Sequence, residues 1–113
     1  MKIVGDVITK QELGQLAGNI FGNMVKAVVD VEREIIAVDA ELHADLEALL
    51  LENGSEQKKL WGINFYPELT GEDFVEFDSM INMRPSQGNR SRGVEREEIR
   101  KKILAVVAKR ISN

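Results

Sequence analysis

The fold is decided by residues 24–42, which read MVKAVVDVEREIIAVDAEL. Apolar residues recur at every second position in both halves, as expected for two strands that each turn one face to a core. The joint Glu32-Arg33-Glu34 lacks the glycine or asparagine that tight hairpin turns favour, so one long helix over Glu32–Glu52 is the alternative. We favour the hairpin because β-branched residues dominate up to Val38, and good helix formers follow only after it.

The same alternation returns further along the chain and predicts a second hairpin, formed by Trp61–Tyr66 and Phe74–Asn82. Helical spacing of apolar residues predicts three helices: one after the capping box at residues 9–12, one capped by Asp45, and one over residues 95–111. The predicted fold is α+β. It has a four-stranded, mainly antiparallel sheet, three helices covering one face, and the order α-ββ-α-ββ-α.

The second face of the predicted sheet collects polar side chains, and we expect it to be open to solvent. Its members are Lys26, Asp30, Asp39, Glu41, His43, Asn64, Tyr66, Glu76, Asp78 and Asn82. A functional site is expected on this face.

Length and composition restrict the class of protein. With 113 residues the chain fits one domain over residues 1–113. The lack of cysteine excludes disulfide scaffolds, thiolate zinc sites, iron–sulfur clusters and cysteine catalysis. No apolar run approaches the roughly 18 residues of a membrane span, and no signal peptide pattern is present, so we expect a cytoplasmic location. No phosphate loop, zincin motif or nucleophile elbow is found, and no cofactor is expected.

Charge is distributed unevenly along the chain. Residues 1–83 carry a net −10 and residues 84–113 a net +6, for a total of −4. The basic third could attract a small anionic ligand or an acidic protein surface, or pair with the acidic body within one chain or in a homodimer. The i, i+4 pairs Glu97–Lys101 and Glu98–Lys102 give a structural explanation for two of the basic residues in the last helix. Nucleic acid is disfavoured because the whole chain is acidic.

The segment Arg84–Gly93, RPSQGNRSRG, is the strongest binding candidate, and it suggests a non-catalytic binding module. It places three arginines before a helix N-terminus, where free amides favour an anion. Glu95, Glu97 and Glu98 oppose this site because they already occupy the first helical turn. The predicted ligand-binding residues are Arg84, Asn89, Arg90, Ser91 and Arg92, together with Asn64, Tyr66 and Asn82 from the polar face.

The alternative function is a metal-dependent or acid–base hydrolase that uses the single histidine. Glu41, His43 and Asp45 would point the same way in an extended strand, and this set fits a hard metal ion. His43 could otherwise act as a base with Asp78 as its partner. If Asp45 instead caps a helix, the strand has already ended and the three side chains cannot converge.

Three motifs together resemble a known family. They are ELHAD at 41–45, WGINFYP at 61–67 and FDSMINMRP at 77–85. In this order they resemble a small family of uncharacterised prokaryotic proteins of about this length, a domain of unknown function. The resemblance covers nearly the whole chain and implies a stand-alone domain, but no activity. The positions that match are His43, Asp45, Asn64, Tyr66, Asp78, Asn82, Arg84, Asn89 and Arg90.

Overall fold

The computed structural model describes residues 1–113. In chain order its elements are β1 (Lys2–Val4), β2 (Ile8–Thr9), α1 (Lys10–Ile20), β3 (Val25–Asp30), β4 (Ile35–Val38), α2 (His43–Glu52), β5 (Leu60–Phe65), β6 (Val75–Glu76), α3 (Glu97–Arg110) and β7 (Ile111–Ser112). Five strands form an antiparallel sheet in the order β1-β4-β3-β5-β6, and β2 pairs with β7 in a separate parallel pair.

The stretch 24–42 forms the predicted hairpin, and the long-helix alternative is wrong. The turn needs no glycine because the buried carboxylate of Asp30 holds it. Oδ1 of Asp30 accepts hydrogen bonds from the amides of Glu32 and Arg33, both at 2.9 Å. Glu34 itself takes the left-handed conformation, with φ at +57°. Ser55 donates to the other oxygen of Asp30 at 2.6 Å, which ties the turn to the segment before β5.

The sheet has five strands, so the prediction of four is wrong. β1 adds itself to the outer edge of β4, and at three residues it is too short for alternation to reveal it. The predicted fourth strand, Phe74–Asn82, is reduced to β6, and Met80–Asn82 forms a 3₁₀ turn outside the sheet. The order of elements along the chain therefore also differs from the predicted order.

Helices cover both faces of the sheet, whereas the prediction placed all three on one. α1 and α3 pack on the face that carries Val29, Ile36 and Ile63, as the alternation predicts. α2 lies on the opposite face and forms a second, smaller core. Its fully buried members are Val28, Ala37, Leu46, Leu50 and Leu60. The face predicted to be polar is therefore covered by a helix over part of its length.

Two of the three helices lie close to their predicted positions, and α2 begins earlier than predicted. α1 begins at the predicted capping box, where the Thr9 hydroxyl accepts from the Glu12 amide at 3.0 Å. α3 lies within two residues of the predicted range. α2 begins at His43 with Leu42 as its N-cap, so Asp45 lies in the first turn and is not the cap. No helix combines the length and apolarity that crossing a bilayer would require.

Candidate functional site

A row of polar side chains crosses three strands on the face that carries α2. Lys26 of β3 lies beside Asn64 of β5, and Asn64 lies beside Glu76 of β6. Side chains two residues apart on a strand share a face, so this row is next to Val28, which α2 covers. His43, the first residue of α2, bonds through Nε2 to the carbonyl oxygen of Ile63 at 2.8 Å. The row therefore meets the N-terminal end of α2.

A cleft of about 180 Å³ opens between the start of α2 and residues 79–81. Lys26, His43, Ser79 and Arg92 supply its polar lining. Leu42 and Met80 also line it, and they are 56% and 63% exposed. The cleft thus combines basic and hydrogen-bonding groups with two accessible apolar side chains.

Burial favours the neutral form of His43 in this cleft. Burial lowers the pKa of His43, helped by the charge of Lys26, while the hydrogen bond to Ile63, the nearby Asn64 side chain and the charge of Asp78 act in the opposite direction. A carbonyl oxygen can only accept, so Nε2 of His43 carries the proton and Nδ1 is an acceptor. Nδ1 has no protein partner and is not among the buried unpaired atoms. It is therefore available to a ligand.

The two carboxylates beside the cleft are already engaged. Glu76 accepts from Asn64 at 2.8 Å and from the Tyr66 hydroxyl at 3.0 Å. Burial and this contact with Glu76 raise the pKa of Tyr66. Asp78 accepts from Nε and Nη2 of Arg92 at 2.7 and 3.4 Å, and its hydrogen bond raises the pKa of Arg92. The side-chain hydrogen bonds of Arg92 use Nε and Nη2 and leave Nη1 without a partner. Oδ1 of Asn64 is buried without a partner.

Asn82 and Asn89, both predicted to bind ligand, are buried parts of the framework. The Asn82 side chain accepts from the Gly62 amide at 2.8 Å and donates to the Gly62 carbonyl at 2.9 Å. The Asn89 side chain donates to the carbonyl oxygens of Asn82 and Gly93 at 2.7 and 2.8 Å. Their amides are used in holding residues 82–93 against β5.

Arg84, another predicted ligand-binding residue, is likewise turned inward. Its guanidinium lies 4.3 Å from the centre of the Trp61 ring and donates to the carbonyl oxygens of Gln57 and Leu60. Burial lowers the pKa of Arg84, while the charge of Glu47 acts in the opposite direction. The Arg84 guanidinium is therefore used in contacts within the protein, and Arg84 does not line the cleft beside His43.

The anion position that the arginine loop offers is filled by the protein itself. The amides of Arg90 and Ser91 donate to one carboxylate oxygen of Glu95 at 2.6 and 2.8 Å. These hydrogen bonds lower the pKa of Glu95. Among the five predicted loop residues, only Arg92 lines the cleft. Its ion pair with Asp78 is a contact between the basic third and the acidic body within one chain, which is one of the alternatives that the charge distribution allows.

The predicted metal set does not converge. The strand ends at Val38 and α2 begins at His43, so Glu41 and Asp45 do not share an extended face with the histidine. Both acidic side chains are exposed, whereas His43 is buried. The structure contains no group of three or more His, Cys, Asp or Glu side chains that could hold a metal ion.

Lys26 and Ser79 line the cleft but were not among the predicted site residues. Lys26 could have been identified from the sequence, because it is the one basic residue in β3 and the strand alternation places it on the polar face. Ser79 could not, since its position depends on a bond from its amide to the Arg92 carbonyl at 2.9 Å.

Comparison with known proteins gives a family but no activity. A family model described as "Protein of unknown function (DUF5674)" matches residues 2–110. No curated protein and no solved structure matches the chain significantly. The three motifs that carried the resemblance all lie within the matched range, and two of them supply cleft residues, His43 and Ser79. The chain therefore belongs to DUF5674, a family of proteins of unknown function.

Proposed function

We propose that the protein is a non-catalytic binding domain whose cleft beside His43 takes a small anionic ligand. The observation that carries this proposal is the set of unused polar groups around one cavity. Two of them line the cleft: Lys26, which has no carboxylate partner, and His43, which offers a neutral acceptor. The third is Oδ1 of Asn64, which is buried without a donor beside Lys26 on the neighbouring strand. Buried polar groups are rarely left unpaired, so the Asn64 oxygen, together with two lining groups that are open to the cleft, favours a ligand that completes the set.

The same groups define the chemistry of the ligand. Lys26 and Nη1 of Arg92 favour a carboxylate or phosphate oxygen. Nδ1 of His43 needs a hydroxyl or N–H donor on the ligand, because this nitrogen carries no proton. A small hydroxycarboxylate has both features and suits a cleft of about 180 Å³.

Binding is better supported than hydrolysis by His43. A catalytic histidine is usually oriented by a carboxylate on its second nitrogen. Here Nε2 bonds to the Ile63 carbonyl, and Asp78 is engaged by Arg92. The metal-dependent version has less support still, because Glu41 and Asp45 are exposed and do not converge on His43.

Malate and succinate form a matched pair of probes, since they differ only in the hydroxyl group. We expect malate to raise the melting temperature more than succinate at equal concentration and ionic strength. A ligand at ten times its Kd stabilises by about 1.4 kcal/mol, which corresponds to several degrees for a domain of this size. Differential scanning fluorimetry measures both shifts.

Variants assign the effect to the cleft. Lys26→Met should remove the response to both acids, and His43→Gln should remove the difference between them. Lys2→Met, an exposed lysine outside the cleft, is the charge-matched control and should respond like the wild type. The proposal fails if neither acid stabilises the wild type at millimolar concentration, or if Lys2→Met abolishes the response as Lys26→Met does.

A further inference from the structure

A second cleft, of about 260 Å³, lies beside Trp61 on the face of the sheet that α3 covers. Four separate segments meet there: Val31 after β3, residues 58–61, Gln87, and residues 96–102 at the start of α3. It shares no lining residue with the cleft beside His43. The two clefts are therefore distinct.

The second cleft concentrates positive charge. Lys58, Lys59, Arg96 and Lys102 line it, with Glu98 as the one acidic lining residue, so four cations and one carboxylate give a net +3. The whole chain has a net −4. A concave surface that concentrates one sign of charge raises the local concentration of oppositely charged ligands.

Two of these cations have no partner within the protein. Lys58 lies 3.6 Å from Glu56, and Arg96 pairs with Glu98. The sequence predicts that Glu98 pairs with Lys102, but because Glu98 bonds to Arg96, Lys102 is left without a carboxylate. The neighbouring pair Glu97–Lys101 does form, at 3.8 Å. Lys59 and Lys102, from different segments, thus line the cavity with uncommitted ammonium groups.

We propose that this cleft binds the diphosphate group of a small molecule. A multiply charged phosphate oxygen cluster matches a lining of +3, and lysine ammonium groups bind phosphate as point charges. Gln87 contributes a side-chain amide to the lining, and Trp61 contributes an aromatic ring. A compact ligand is favoured over a nucleic acid strand because the cleft is small, at about 260 Å³, and the whole protein carries a net charge of −4.

The test is a titration of the full chain with inorganic pyrophosphate at constant ionic strength, followed by calorimetry. We expect saturable binding by the wild type. In the double variant Lys59→Gln/Lys102→Gln we expect affinity to fall about tenfold or more, because two charge-assisted contacts are lost. The control Lys2→Gln/Lys101→Gln removes the same charge from exposed positions outside this cleft and should stay within about twofold of the wild type.

Amide chemical shifts of the labelled protein locate the bound pyrophosphate. Changes centred on Lys59, Gln87 and Ile99 would support the proposal. Changes centred on Ala44 and Met80 would place the anion in the cleft beside His43 and overturn it. Absence of saturable binding, equal weakening in the two double variants, or binding of single-stranded DNA without binding of pyrophosphate would also overturn it. Melting curves of each variant confirm that it is folded.

Discussion

Asn82 and His43 show that single side chains can have roles their residue types do not reveal. Asn82 bonds to both backbone groups of Gly62 beyond the end of β6, so its amide continues the hydrogen bonding of the sheet. His43 is buried and neutral, with one nitrogen committed to the backbone and the other free. The alternation predicts both for the polar face of the sheet, whereas the structure places Asn82 in a 3₁₀ turn and His43 at the start of α2. Only the distribution of hydrogen bonds separates the framework residue from the candidate ligand-binding residue.

The lowered pKa of His43 makes stability depend on pH. The folded-state value lies below the unfolded value of 6.5, so the unfolded chain binds the proton more readily. The unfolding free energy should be highest above pH 6.5 and fall as the pH drops through the folded-state pKa. The lowered pKa values of Glu34 and Glu95 make stability depend on pH only in a more acidic range, because their stabilising contribution is present above pH 4.5 and is lost as the pH falls below it.

Urea denaturation between about pH 7.5 and 5.5 measures this dependence, because an unperturbed histidine titrates in that window. We expect the wild type to lose stability across it and His43→Gln to have a flatter profile, since glutamine does not titrate. His43 is the single histidine, so no other imidazole contributes. Equal slopes for the two proteins would contradict the assignment of a lowered pKa.

At the scale of elements, β5 depends on a close approach that only glycine allows. A Cβ at Gly62 would lie 2.4 Å from Cβ of Ser79 and 3.1 Å from Cγ1 of Ile81. Ser79 cannot withdraw easily, because it is buried and its amide is bonded to the Arg92 carbonyl. The motif WGINFYP therefore contains its glycine for a packing reason, and residues 79–81 form one wall of the cleft beside His43.

We expect Gly62→Ala to destabilise the protein by about 1–3 kcal/mol or more, because the added methyl overpacks a buried contact. Gly18→Ala is the matched control. Gly18 lies on the exposed side of α1, and no atom comes within 4 Å of the place where an alanine methyl would sit, so alanine should stabilise by about 0.5–1 kcal/mol through helix propensity. Chemical denaturation of both variants gives the comparison. A neutral Gly62→Ala would mean that residues 79–81 can move away without cost.

At the scale of the whole molecule, the sheet separates two cores of unequal size. The larger core lies against α1 and α3 and includes Trp61, and the smaller lies under α2. β3 is buried on both sides, with Val28 in one core and Val29 in the other. Because the two cores share this strand, we expect them to unfold together.

Leu46→Ala tests this coupling from the smaller core. The side chain is fully buried, so the substitution should cost about 2–5 kcal/mol. Leu51→Ala, on the same helix but 40% exposed, should cost less than about 1 kcal/mol. Trp61 fluorescence should report the same shift in the Leu46→Ala midpoint as far-ultraviolet circular dichroism. A shift seen only by circular dichroism would show that α2 unfolds separately from the larger core.

The sequence by itself determined the elements whose signals are local. The β3–β4 hairpin and the faces of α1 and α3 follow from periodicities of two and 3.6 residues, and the capping box fixes the start of α1. Tertiary structure alone decided where those elements meet. A three-residue β1 has too few positions to show a period, and Val28 and Ala37 are interspersed with polar residues that hide the face α2 covers. Tertiary structure also decided which charged groups remain without a partner. Glu95 accepts hydrogen bonds from the backbone amides of its own loop, Arg84 stacks on Trp61, and Glu98 pairs with Arg96 instead of Lys102. Each of these choices depends on distances between segments, and a pattern read along one segment does not contain them.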